Sequence, residues 1–241
     1  MNMMKTTRTE MPFLKKSIIT LCTGALLSMG VVSCANAGGI ALGATRVIYP
    51  QGAREASLSL TNTSDSNVYL IQSWIANADG SKSSDFVVTP PLFTIKPKKE
   101  NTLRIIYTGP ALPSDRESVF FINSKAIPSV DKNNLKGNTL QIATQSVIKL
   151  FVRPKNLPST SADSPKQLTC HVQGGRVTLK NPSPYYVTLV QFRVGGQKLP
   201  NTMVSPKSTL TVDVPGHANG AAHFQTVNDY GANTAQQSCN A

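Results

Sequence analysis

Short runs rich in β-branched and aromatic residues recur at 45–49, 56–61, 68–75, 101–107, 118–126 and 140–152, and no long stretch keeps a helical period. Between them lie clusters of turn-forming residues such as "NTSDSN", "NADGSKSSD" and "TGPALPSD". Many short strands at regular spacing predict an all-β chain of sandwich type. After Arg153-Pro154 the segment "PKNLPSTSADSPKQ" is rich in proline and poor in strand formers, so it reads as a linker. Beyond it the strand pattern restarts in "LTCHV", "RVTLKN", "YYVTLVQFRV" and "STLTVDV", with Gly195-Gly196 suited to a hairpin turn. The expectation is two β-sandwich domains in series, 38–157 and 158–241, without a clear internal repeat.

The N-terminus has a different character. Lys5, Arg8, Lys15 and Lys16 precede an apolar stretch, 17–32, that is short for a bilayer span. Residues 1–37 therefore read as a secretory signal peptide with an A-x-A site at Ala35-Asn36-Ala37. The alternative is a lipoprotein box ending at Cys34. Removing the leader leaves 20 basic against 11 acidic residues, so the exported chain favours anionic partners. Nucleic acid is not the expected one: the basic residues are spread out rather than clustered with aromatics, and export argues against it. The exported chain keeps two cysteines, Cys170 and Cys239. In an oxidising compartment they suggest one disulfide closing the second half, two free thiols being the alternative.

Catalytic motifs are missing from the sequence. His171, His217 and His223 lack metal-ligand spacing, and there is no G-x-S-x-G, P-loop or dinucleotide fingerprint. The chain is read as a binding protein rather than an enzyme, with neither cofactor nor metal. A carbohydrate-binding sandwich finds little support in one tryptophan, Trp74, which is read as a core residue.

One strand poses a chemical problem. In "NTLQIATQSVIKLFVRP" (138–154) a single cation, Lys149, interrupts an apolar run, and a buried ammonium requires a partner. Leu140, Ile142, Ile148 and Leu150 share one parity, and periodicity alone makes them the chain's own core face. Lys149 lies an odd number of residues from Ile142, so an unbroken strand points the two side chains to opposite faces.

This segment, with "LPSDRESVFFINSKAIPS" (112–129), "GATRVIYP" (43–50), "VVTPPLF" (87–93), "KENTLRI" (99–105) and "VNDYG" (227–231), resembles the periplasmic pilus chaperones of the chaperone–usher pathway. The likeness is nearest to those of type 1 pili. It is dense through residue 154 and looser beyond. It implies two immunoglobulin-like domains set at an angle around a cleft, and a periplasmic, ATP-independent chaperone for pilus subunits that delivers them to an outer-membrane usher. Whether the free protein self-associates by covering its exposed strand is left open by the sequence.

By the same resemblance, Leu140, Ile142 and Thr144 are the donor-strand side chains that enter a subunit's groove, which leaves Ile148 and Leu150 to the core. Thr144 departs from the bulky aliphatic residue common at its position. Arg46 and Lys149 would grip the subunit's terminal carboxylate, which gives Lys149 its partner. A bulge, a strong twist or approach from the cleft side would then reconcile Lys149 with Ile142. Glu117, Arg153 and Asp229 would form interdomain ion pairs. As exposed pairs they would each contribute only about 0–1 kcal/mol, so orientation is their expected role. The resemblance also implies a cis bond within Thr89-Pro90-Pro91. The short, cysteine-free connection "PSVDKNNLKGN" fits the short-loop branch of these chaperones. A structural pilus subunit, the rival reading, would show one incomplete sandwich instead of two full ones.

Overall fold

Alternation of apolar and polar residues along the strands sets which faces pack. In a computed structural model, which describes residues 38–129 and 140–239, the described residues form two β-sandwiches. The leader, its cleavage site and Cys34 lie outside the described residues, as does most of the connection before the proposed donor strand. Among the described residues no helix is long and apolar enough to cross a membrane.

In the first sandwich, one sheet has the order β1 (Ile40–Leu42), β3 (Ala56–Asn62), β7 (Glu100–Tyr107), β5 (Phe86–Thr89). The facing sheet has the order β2 (Arg46–Pro50), β9 (Thr144–Arg153), β8 (Ser118–Pro128), β4 (Tyr69–Ala76), β6 (Leu92–Ile95). Every pairing is antiparallel except β2 on β9, which is parallel. The inward rows bring Leu58, Leu60, Ile71, Ile75, Leu103, Ile105, Ile122 and Leu150 into one core, with Phe86 edge-on to Tyr107 and Phe120. At the β5–β6 corner the Thr89–Pro90 bond is cis.

Trp74 corrects its sequence reading. Along β4 the inward row is Tyr69, Ile71, Ser73 and Ile75, all buried, so Trp74 falls on the opposite parity and lies half-buried, with only the small Ala76 of that parity also buried.

The second sandwich pairs a sheet of β10 (Thr169–Gln173), β11 (Arg176–Asn181) and β15 (Ser208–Asp213) with a sheet built on β12 (Val187–Val194). The latter also holds β13 (Gln197–Lys198), β14 (Thr202–Val204), β16 (Ala222–Thr226) and β17 (Gln237–Ser238). Leu179, Leu189, Phe192, Val204 and Phe224 fill its core. Cys170 on β10 and Cys239 just after β17 are disulfide-bonded with Cα atoms 5.7 Å apart, which ties the chain's end to the opposite sheet.

The two sandwiches share a device that the sequence does not show as a repeat. At the end of β3, buried Asn62 donates to the carbonyls of Asn67 and Ile95 and accepts from the Ser64 amide. At the end of β11, buried Asn181 donates to the carbonyls of Tyr185 and Ser205 and accepts from the Ser183 amide. Each Asn-x-Ser satisfies backbone groups where a strand leaves the sheet.

Strand β9 runs from solvent into the core. Its register against β8 is unbroken, from Ala126 opposite Thr144 to Ser118 opposite Val152. Leu150 and Val152 are buried and Ile148 packs against them, as parity predicts. Leu140 and Ile142, of the same parity, are 84% and 64% exposed because the sandwich ends before them. Leu150→Ala is therefore expected to cost about 2–5 kcal/mol in urea unfolding. Leu140→Ala should stay within about 0.5 kcal/mol of the parent.

Candidate functional site

Parallel pairing of β2 with the C-terminal half of β9 sets Arg46 directly opposite Lys149. Along β2 the side chains of Val47 and Tyr49 point into the core, so Arg46 emerges on the other face; along β9, Leu150 and Val152 do the same for Lys149. Both cations thus face the second sandwich. Within β9 the register is unbroken, so no bulge is involved; Ile142 precedes the strand, and Lys149 is reached from the cleft side.

Each cation leans on an uncharged oxygen across the cleft. Arg46 Nη1 donates to the Val227 carbonyl at 3.0 Å, and its guanidinium lies 5.8 Å from the Phe151 ring centroid. Its Nε is buried without a hydrogen-bond partner. Lys149 Nζ donates to Thr188 Oγ1 at 3.3 Å. Among the described residues neither cation forms an ion pair. Burial holds both below their ordinary pKa values. Arg46 adds repulsion at Lys149, whereas Asp229 and Glu117 partly offset the effect at Arg46. Two like charges, half-desolvated and side by side, make a site whose charge balance an anion would complete.

The adjoining cleft has a volume of about 390 Å³ and is lined by Arg46, Phe151, Tyr186, Thr188, Asn228 and Tyr230 among others. No group of three His, Cys, Asp or Glu among the described residues is placed to hold a metal.

Arg153, at the end of β9, joins the two sandwiches. Its Nε donates to Glu117 Oε1 at 2.7 Å, and Nη1 and Nη2 grip both oxygens of Asp229 at 2.7 and 2.8 Å. Glu117 Oε2 accepts from the Tyr186 amide, Asp229 accepts from Ser161 Oγ, and the guanidinium sits 5.1 Å from the Tyr185 ring centroid. The sequence reading of these as exposed pairs does not hold: Glu117 is 3% exposed. Burial pushes its carboxyl up despite Arg153. At Asp229 burial also raises the pKa, but hydrogen bonds from Arg153 and Ser161 more than offset it and leave the carboxyl lowered.

Several contacts escape sequence reasoning because nothing in spacing marks them. Lys207 Nζ of the second sandwich reaches Asp115 Oδ2 of the first at 2.6 Å, and the Glu117 amide donates to the Pro184 carbonyl. Thr188 and the Val227 carbonyl, which hold the two cations, belong to the same class.

The donor-strand candidates lie on the adjoining edge. Strand β2 pairs with β9 only from Lys149 to Arg153, so residues 144–148 have no strand partner on that side among the described residues. Leu140, Ile142 and Val147 are exposed along this segment, and Thr144 opens β9. Gln141 and Gln145 hold it by hydrogen bonds to the Pro128 carbonyl and to Asn123.

Comparison with known proteins sets this geometry among relatives. Residues 39–158 match the family model "Pili and flagellar-assembly chaperone, PapD N-terminal domain", and residues 163–238 match "Pili assembly chaperone PapD, C-terminal domain". The chain is similar to the probable fimbrial chaperone SfmC of Escherichia coli K12, with 50% identity over 85% of this chain and 89% of the relative. It is also similar to the crystal structure of the periplasmic chaperone SfaE, with 46% identity, a TM-score of 0.75 and coverage of 84% and 100%. The SafB chaperone, solved with the Salmonella enterica SafA pilin, aligns at 32% identity and a TM-score of 0.76, over 84% of this chain and 96% of that one.

Because Glu117 is buried, Arg153→Ala is expected to cost about 3–5 kcal/mol at neutral pH, read by urea unfolding. The acid response has two opposed parts. Asp229, with a lowered folded pKa, stabilises above its unfolded value near 4, and this is lost as pH falls through the folded value. Glu117, with a raised folded pKa, opposes folding when ionised and is relieved by protonation. Asp229→Asn should therefore flatten the acid-side fall of stability, whereas Glu117→Gln should steepen it.

Proposed function

Because the chain belongs to the PapD family of pilus assembly chaperones, which are binding proteins and not enzymes, we propose that it captures a pilus subunit in the cleft and lends it a strand. A subunit that lacks its last strand exposes an apolar groove and an unpaired sheet edge, a combination prone to aggregation. The free edge of β9 supplies the missing hydrogen-bonding row, and Leu140, Ile142 and Thr144 enter the groove on one parity. Such complementation between chaperone and pilin is a form of β-augmentation, in which main-chain hydrogen bonds give affinity and alternate side chains give specificity.

Arg46 and Lys149 receive the subunit's terminal carboxylate. Fixing the last residue of the subunit fixes the register of the strand that pairs with β9. Thr144 contributes less burial than an aliphatic residue at about 25 cal/mol per Å² of apolar area, so Leu140 and Ile142 dominate the apolar contacts. Arg153 with Glu117 and Asp229 holds the two sandwiches at the angle that forms the cleft. The leader sends the chain to the periplasm, the loaded chaperone passes its subunit to an outer-membrane usher, and the free edge favours self-association when no subunit is present.

The observation that carries this reading is the adjacency of two cations without an ion-pair partner among the described residues to a strand edge bearing exposed Leu140 and Ile142. Its test is co-expression with pilins encoded beside the chaperone, followed by periplasmic co-purification. Arg46→Ala and Lys149→Ala are expected to fold normally and to lose the subunit, and Lys149→Arg to restore capture only in part, since a guanidinium presents its donors differently. Full recovery of a pilin by the Arg46→Ala, Lys149→Ala double variant would contradict the anchor.

A further inference from the structure

The two cations come from the first sandwich, yet both are oriented by the second. Arg46 Nη1 is held by the Val227 carbonyl and Lys149 Nζ by Thr188 Oγ1. These two holders are themselves joined: the Val227 amide donates to the Thr188 carbonyl at 3.1 Å. Thr188 lies on β12 and Val227 just after β16, neighbouring strands of one sheet, so the holders form a rigid shelf. Neither contact exhausts its cation. An ammonium has three donors and a guanidinium five, and among the described residues one of each is used.

The shelf continues into a loop whose conformation is tightly specified. Asn228 Oδ1 accepts from the amides of Tyr230 and Ala232, and the Gly231 amide donates to the Asn228 carbonyl. Gly231 has φ +86°, and a Cβ there would run into the hydroxyl of Thr45, the residue before Arg46. Asp229, in the same loop, is the partner of Arg153. One loop of the second sandwich therefore holds the guanidinium of Arg46, abuts the residue beside it and carries half of the interdomain ion pair.

We propose that Thr188 and the Val227–Gly231 loop are positioning elements for the anchor, so that carboxylate capture and docking of the two sandwiches are thermodynamically coupled. This rests on the reading of Arg46 and Lys149 as a carboxylate anchor. If the domains separate, both cations keep their charge but lose the acceptors that aim them. By reciprocity a bound carboxylate strengthens docking by the factor by which docking strengthens binding.

The test uses the full exported chain and two probes: a short peptide of alternating apolar residues with a free C-terminal carboxylate, and the same peptide amidated. Calorimetry gives the ratio of acid to amide affinity. The parent is expected to prefer the acid, and Lys149→Ala to lose most of that preference. Thr188→Val, which keeps shape and removes the hydroxyl, should lower acid affinity about 3–10-fold, the range of one hydrogen bond, and leave the amide unchanged. Thr188→Ser should restore it, and Thr188→Val should have no further effect in the Lys149→Ala background. Gly231→Ala should also reduce the ratio, with partial recovery on adding Thr45→Ala.

Circular dichroism and thermal unfolding confirm that each variant is folded. A parent without acid preference would remove the anchor reading and the coupling with it. A parent with acid preference that Thr188→Val and Gly231→Ala leave unchanged would overturn the coupling alone.

Discussion

Parallel pairing of β2 with the last residues of β9 dictates the layout of the whole site. It sets Arg46 opposite Lys149 on the outer face, and it stops early enough to leave the preceding residues of β9 with one open edge. A longer β2 would cover the edge on which an incoming strand could pair. A shift of one residue in β9 would send Lys149 into the core and Leu150 and Val152 out of it. The apolar pair that buries the strand's end thus also fixes the cations on the cleft side.

Energetics divide the labour between the two ends of β9. Leu150 and Val152 belong to the core and secure the strand, while Leu140 and Ile142 leave most of their apolar surface in water. That exposed apolar surface beside the open edge is what the proposed function would use. The desolvated cations have the same character. Burial holds both below their ordinary pKa values and Arg46 adds repulsion at Lys149, effects that an anion beside them would offset. The Glu117–Arg153–Asp229 network, in contrast, centres on a buried carboxylate and is complete within the chain, which suits an element that keeps geometry rather than one that awaits a ligand.

Much of this is legible in the sequence, and the failures have physical causes. The runs at 56–61, 101–107 and 118–126 form β3, β7 and β8 because alternation alone specifies a half-buried strand. The run starting at 140 enters the sheet only at Thr144, since alternation cannot create a neighbouring strand for residues 140–143. Short elements such as β13, β14 and β17 exist through pairing and carry too few residues to show a period. Ranking hydrophobicity above parity misplaces Trp74, although its neighbours Ser73 and Ile75 already mark the inward row as the other one. Lys149 stands out in the sequence as a charge in an apolar run, while its proposed pairing with Arg46 comes from family resemblance. Thr188 and Val227 meet the two cations, and Gly231 meets Thr45, through a fold that joins positions far apart in the chain.

Amide hydrogen exchange across residues 140–153, measured in the free protein and with a co-purified pilus subunit bound, tests directly whether this strand is lent. Amides facing the open edge at 140–148 are expected to exchange readily in the free chain and to become protected in the complex, with 149–153 protected in both. Unchanged exchange at 140–148 in a stable complex would show that the subunit is held elsewhere, and that the free edge of β9 is not the strand this protein lends.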